Sequence, residues 1–291
     1  MMKIKWMALA VLTIAAGSVS AAVKAEYLEL KDDDAARKAY LAQPVRIWGD
    51  KNYKVAADKY NALLVLSNAK ITYAFHLYGV LKDGVATKVN IGMLRPSVYN
   101  WYAGGFISIS SGKEKLNAGN FTLKEVKGGD ESGWAEFEFS GGTVNGKLRF
   151  ELPDNDDKLL VTFTPAGQFR YSANLVAYPA HYGDAKLRAR KMISNLGEVE
   201  GNVKKLTPQD CWFVFADSYY DREQNRGDGC CAFLFNPKDV LPGSVVRCGY
   251  ACQAYLYCRP GQPLTLIIWD FKRWSMKQAV DYMKKLDVKF E

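Results

Sequence analysis

The chain has 291 residues, a formal charge of +8, and a composition of 48% apolar, 24% charged and 13% aromatic side chains. That balance excludes disorder and collagen-like repeats, and a compact chain of this size hides about three quarters of its unfolded surface. Only the N-terminus carries a long apolar run, which excludes a multi-pass helical membrane protein.

Lys3 and Lys5, the apolar stretch 6–16 and the small residues of 17–22 have the three-part form of a signal peptide. Cleavage is expected after Ala21, with Ala25 as the second choice. The apolar stretch is too short for a hydrocarbon core that needs about twenty residues, so no membrane span is expected. The first cysteine is Cys211, which leaves no N-terminal site for a lipid anchor. The expectation is an exported chain, periplasmic or secreted, whose charge falls to +6 as Lys3 and Lys5 leave. Acidic partners there are anionic glycans, wall polymers and lipid headgroups rather than nucleic acid.

Residues 32–43 predict a short helix, with acids at its start and Pro44 as its stop. Strand signals then dominate. The runs 71–81 and 85–94 flank Lys82-Asp83-Gly84, a tight hairpin turn. Glu136-Phe137-Glu138-Phe139 alternates as a half-buried strand should, and Asn145-Gly146 signals a hairpin into 147–152. A turn at 154–157 precedes Leu159, Val161 and Phe163 on one face. Residues 185–196 fit a helix or a strand equally well. Further strands are expected at 212–216, 231–235, 251–257 and 264–271. Ser275 and Gln278 form a capping box for a last helix, with Met276, Ala279, Val280, Met283 and Leu286 on its apolar face. The pattern reads as a mainly β chain: a large antiparallel β-sandwich in 22–291, with a short N-terminal helix and a C-terminal helix packed on the sheet. It reads as a single domain, or as two halves meeting near 165–205.

All six cysteines, Cys211, Cys230, Cys231, Cys248, Cys252 and Cys258, fall in one stretch. An even number in an exported chain predicts disulfides, although connectivity stays open. Strand parity puts Cys252 and Cys258 on one face with Ala254 and Leu256, and Cys230 and Cys231 on opposite faces. A zinc site is the rival, but Cys248-x3-Cys252 is the nearest approach to ligand spacing.

Nucleophile-elbow, zincin and dinucleotide-binding motifs are absent, and the near match to a phosphate loop at 141–147 lies in a hairpin rather than before a helix. Three clusters remain. Arg95, Tyr99, Asn100, Trp101 and Tyr102 gather aromatics and hydrogen-bonding groups in a loop, a composition suited to stacking on sugar rings. His181, Tyr182 and Arg188 combine a proton-transfer pair with a cation, as a polysaccharide lyase would use on a uronate. Asp221, Glu223, Asn225 and Asp228 offer hard oxygens for calcium, but the glycine comes one place late for an EF-hand loop and Arg222 and Arg226 lower the local negative charge, so a polar strand connection is the favoured reading and no cofactor is expected. The leading expectation is an exported protein binding extracellular or cell-envelope glycan through loop aromatics. The alternatives are a sugar-active enzyme (lyase, glycoside hydrolase or mutarotase-like) and a structural envelope protein.

Overall fold

Alternation of apolar and polar residues along the chain builds strand after strand, and every pairing between named strands is antiparallel. The computed structural model describes residues 22–29, 59–97, 100–116, 119–179, 190–217, 229–248 and 251–286. The expected leader, the helix at 32–43, His181, Tyr182, Arg188 and Tyr99 lie outside the described residues, as do Asp221, Glu223, Asn225 and Asp228.

Hydrogen-bonded neighbours trace two layers. The first runs β1 (Lys24–Glu29), β2 (Lys59–Ser67), β3 (Thr72–Lys82), β4 (Val85–Arg95), β5 (Ile107–Ser111), β11 (Tyr171–Ala177), β18 (Cys252–Cys258), β17 (Val240–Arg247) and β14 (Val203–Lys205), with β6 (Glu114–Lys115) beside β5. The second runs β7 (Asn120–Lys127), β8 (Ser132–Ser140), β9 (Gly146–Pro153), β10 (Leu159–Pro165), β19 (Leu264–Asp270), β16 (Cys231–Phe235), β15 (Trp212–Asp217), β12 (Arg190–Ser194) and β13 (Gly197–Glu198). They join where Ala86 and Thr87 of β4 meet Phe121 and Asn120 of β7. Both layers mix strands from before and after residue 165, since β5 pairs with β11 and β10 with β19.

Inward residues of the two layers form one aromatic core. Phe75 packs on Phe106 and Phe150, with ring centroids 5.8 and 5.0 Å apart, and the buried Tyr73 hydroxyl donates to the Asp157 carbonyl at 2.7 Å. The outer face of β15, β16 and β19 carries a second apolar cluster, Val214, Ala232 and Trp269 among it, covered by α1 (Met276–Lys285) through Ala279 and Met283. Both bonds of the expected capping box are present: the Gln278 amide donates to Ser275 Oγ at 3.3 Å, and the Ser275 amide to Gln278 Oε1 at 2.9 Å. The sandwich with its C-terminal helix is therefore the observed fold. The ambiguous segment resolves at its second half, where Arg190–Ser194 is strand β12.

One of the two expected hairpin turns holds in detail. Asp83 and Gly84 adopt φ of 52° and 78°, the left-handed pair that a two-residue hairpin turn requires. Asn145-Gly146 differs. It does not form the tip of a tight turn, because Gly146 already pairs with Phe139. Instead the Asn145 carboxamide accepts from the Gly141 amide at 2.8 Å and closes a longer loop. Trp134 is half-buried on the outer face of β8, with the Arg149 guanidinium 4.0 Å from its ring centroid.

The disulfide expectation is overturned: Cys211, Cys230, Cys231, Cys248, Cys252 and Cys258 are all free thiols. Parity is as expected, with Cys252 and Cys258 in the inter-layer core and Cys230 and Cys231 in different clusters. No cysteine is the cross-strand partner of Cys231, Cys252 or Cys258. Cys252 stands opposite Ala177 and Arg247, Cys258 opposite Tyr171 and Val240, and Cys231 opposite Phe215 and Asp270. The thiols turn to backbone oxygens instead, Cys231 Sγ to the Asn100 carbonyl at 3.5 Å and Cys230 Sγ to the Trp274 carbonyl at 3.6 Å. Burial pushes the Cys252 and Cys258 thiols up to about 12, so they behave as small apolar side chains at neutral pH.

Candidate functional site

The loop that follows β4 shows what its aromatics do. Trp101 is 0% exposed; its indole donates to the Trp269 carbonyl at 2.9 Å and so crosses from one layer to the other. Asn100 is equally buried, its amide donating to Asp270 Oδ1 at 2.8 Å and to the Cys230 carbonyl at 3.2 Å. Neither side chain can meet a sugar from solvent, and the expectation of a stacking loop fails for both. A buried indole whose N–H finds a carbonyl is a core residue with its polar tip satisfied. Arg95 closes β4, half-buried, opposite Ala74.

Tyr102 behaves differently. Trp101 bridges to Ala177, and the Tyr102 amide donates to the Val176 carbonyl at 3.0 Å, so Tyr102 falls on the outward parity beside Val176. It is partly exposed and packs edge-on against Tyr178, with ring centroids 4.5 Å apart. Val176 in turn stands opposite Gln253 of β18.

That parity defines the outer face of the first layer around β5, β11 and β18. In the next row Ser108, Asn174, Tyr255 and Ser244 are successive cross-strand partners. The row beyond it runs Ser110, Ser172, Tyr257 and Leu241. Side chains directly opposite share a face and touch. Ser110 Oγ and Ser172 Oγ lie 2.9 Å apart, Asn174 Nδ2 donates to Ser110 Oγ at 3.3 Å, and the Tyr255 hydroxyl donates to Gln253 Oε1. Asn174 Oδ1 has no hydrogen-bond partner among the described residues. Tyr257 is 50% exposed, and burial raises the Tyr255 hydroxyl above its ordinary range, which keeps it a proton donor.

The central rows carry hydroxyls, amides and phenol rings with no charge. Flanking positions are cationic: Lys115 of β6 is opposite Ser110, and Lys205 of β14 is opposite Ser244. Such a face can hold a neutral polyhydroxyl ligand by stacking and hydrogen bonding. The central rows supply no carboxylate pair or histidine for acid–base work. His76 lies elsewhere, buried on β3 against Asn61 Oδ1 at 3.3 Å and stacked on Tyr78, and burial lowers its pKa to about 4.

Of the expected site residues, the structure thus brings Tyr102 to this face and leaves Asn100 and Trp101 beneath it. Gln253, Tyr255, Tyr257, Asn174 and Ser172 were missed. For Gln253, Tyr255 and Tyr257 the signal was available: they occupy the parity complementary to Cys252, Ala254, Leu256 and Cys258, which the sequence places together on one face. The described residues bounding 180–189 and 218–228 meet at one rim, where Arg190 pairs with Asp217 and the Tyr178 amide donates to the Asn100 carbonyl at 2.8 Å. Among the described residues no cluster of side chains is arranged to hold a metal ion, and no helix is long and apolar enough to cross a membrane.

No family model matches the chain, and no curated protein does. Among solved structures it is similar to the GH36 alpha-galactosidase AgaA of Geobacillus stearothermophilus in complex with stachyose, at 8% identity and a TM-score of 0.39, covering 72% of this chain and 41% of that one. The galactosidase domain of the alpha-galactosidase-sucrose kinase AgaSK gives 10% identity and 0.37, covering 71% and 40%. The alpha-galactosidase from Lactobacillus brevis gives 8% and 0.34, covering 79% and 40%. The chain spans less than half the length of these structures. Overlaps this loose say nothing of substrate or reaction.

Proposed function

We propose that the protein is a non-catalytic, exported glycan-binding sandwich whose contact surface is the outer face of β5, β11 and β18. One observation carries this reading. Tyr102, Tyr255 and Tyr257 share an outward sheet face with Ser110, Ser172, Asn174 and Gln253, and none of these side chains is charged. Phenol rings accept the apolar faces of sugar rings, while amides and hydroxyls exchange hydrogen bonds with sugar hydroxyls. A flat sheet surface suits a polymer better than a small molecule, which needs a concave pocket. The signal-peptide pattern of residues 1–21 supports an extracellular or envelope setting in which polysaccharide is the available partner.

The test is a glycan array with the full chain, followed by titration of the strongest hit against Tyr257→Ala. The variant should bind about twofold to twelvefold more weakly, the scale of about 0.5–1.5 kcal/mol for one aromatic contact, with unchanged melting temperature. Undiminished binding by Tyr257→Ala and Tyr255→Ala together would remove this face from the function.

A further inference from the structure

The outward line of β18 does not stop at Tyr257. Gln253, Tyr255 and Tyr257 are spaced two residues apart within β18, so their side chains recur on the same side about every 7 Å, and Arg259 follows just past the end of the strand. Arg259 is exposed, and its Nε donates to the Lys238 carbonyl at 2.7 Å. That bond anchors the guanidinium to the turn before β17. Arg259 and Lys238 line a cleft with Leu206, Pro208, Leu241 and Pro242. Leu241 is the direct cross-strand partner of Tyr257, so the aromatic row opens into this cleft without a break. Beside the cleft, β17 bulges between Leu241 and Ser244. Gly243 permits the bulge, since a Cβ there would lie 2.1 Å from the Tyr255 carbonyl oxygen. Arg170, exposed, immediately precedes Tyr171, the partner of Cys258, and adds a third cation at this end. Asp239 sits beside Arg259 and Lys238 and offsets part of their charge.

We infer that the end of the glycan face at Arg259 and Lys238 recognises an anionic substituent, so that the ligand class is an acidic polysaccharide. The inference rests on the reading of the tyrosine face as a glycan surface and adds the chemistry of one subsite. An arginine fixed through Nε presents its remaining N–H groups as a fork that suits carboxylate or sulfate oxygens, and a lysine adds a point charge. The neutral rows hold the sugar rings, and the cationic end selects among polymers that the rows alone would treat alike.

The experiment compares polygalacturonate with its methyl ester, and dextran sulfate with dextran, by titration against the full chain at low and high salt. The charged member of at least one pair should bind about tenfold more tightly at low salt, and the excess should shrink as salt screens it. The pair that shows the excess distinguishes carboxylate from sulfate. Arg259→Gln combined with Lys238→Gln should abolish the excess and leave the affinity for the uncharged member and the melting temperature unchanged. Equal binding of charged and uncharged members would overturn the inference. So would an excess that survives in that double variant, or one lost only in Lys115→Gln with Lys205→Gln. In each of those cases a continued loss of binding in Tyr257→Ala leaves the glycan surface standing. If no glycan binds the unmodified chain at all, both fall together.

Discussion

Two outer sheet faces of this molecule obey different rules. On the outer face of β8 and β9, charges alternate and pair: Lys147 with Glu136 at 2.8 Å, Arg149 with Glu151 at 3.0 Å, and Lys124 from β7 with Glu138. Arg149 also lies over the half-buried Trp134, so even the aromatic ring there has an internal partner. On the outer face of β11 and β18, the central positions are Ser172, Asn174, Gln253, Tyr255 and Tyr257, and charge is confined to the margins. A sheet face that only has to stay dissolved can do so with a ladder of ion pairs, which also discourages association. The neutral, tyrosine-bearing face forgoes that solution. Exposure alone therefore does not dictate its composition, which is the contrast on which the proposed glycan contact rests.

The comparison breaks if what lies under the neutral face, rather than on it, governs binding. Trp101→Ala should cost about 3–5 kcal/mol of stability, as large-to-small changes in cores do, while binding per folded molecule stays near that of the parent. Denaturant titration alongside glycan titration separates the two quantities. Binding lost in proportion to the number of ordered molecules fits; loss at full folding would return Trp101 to the site.

His76, on the same layer, tests whether that layer's buried polar groups govern stability without touching the ligand. Its folded pKa of about 4 lies below the ordinary 6.5, because burial disfavours the charged ring. Between these values the unfolded chain binds more protons. Its contribution is complete above pH 6.5 and is lost as pH falls toward 4, on the order of 3 kcal/mol across the window. Melting curves from pH 7 to 4 should show this decline, and His76→Gln should flatten it. An identical slope in the variant would assign the acid sensitivity to other groups.

Smaller effects belong to the second layer. Ser275→Ala removes the N-cap of α1 and should lower stability by about 1 kcal/mol without altering binding. Glu136→Gln breaks one rung of the charged ladder and should change stability by less than about 0.5 kcal/mol. A marked loss of glycan binding in Glu136→Gln would mean that both faces share the work and would erase the distinction.

Much of the fold was legible because strand periodicity is local. Asp83-Gly84, the alternation of 136–139 and the parity of Cys252 and Cys258 all follow from neighbours in the chain. Unbroken apolar runs at 212–216 and Cys231–Phe235 also make sense once α1 is seen to cover their second face. Trp101 was misread because its partner is the carbonyl of Trp269, far along the chain, and no local pattern announces such a bond. Asn145 failed for a related reason, since its carboxamide closes a loop instead of its backbone forming a turn. The tyrosine-bearing face was hidden in plain parity: Tyr255 and Tyr257 alternate with core residues, and only the pairing of β18 with β11 places them beside Asn174 and Ser172. Disulfides were expected from compartment and count, yet neither fixes which strands lie opposite each other.

The indole of Trp101 has a thermodynamic consequence for its neighbour. Tyr102 stands one residue away, on a backbone held by that indole from beneath and by Val176 from the side. The conformational entropy of this segment is surrendered when the chain folds, so a ligand arriving at Tyr102 does not have to order it again. Calorimetry on glycan binding should accordingly find little of the entropic penalty that accompanies the closing of a flexible loop.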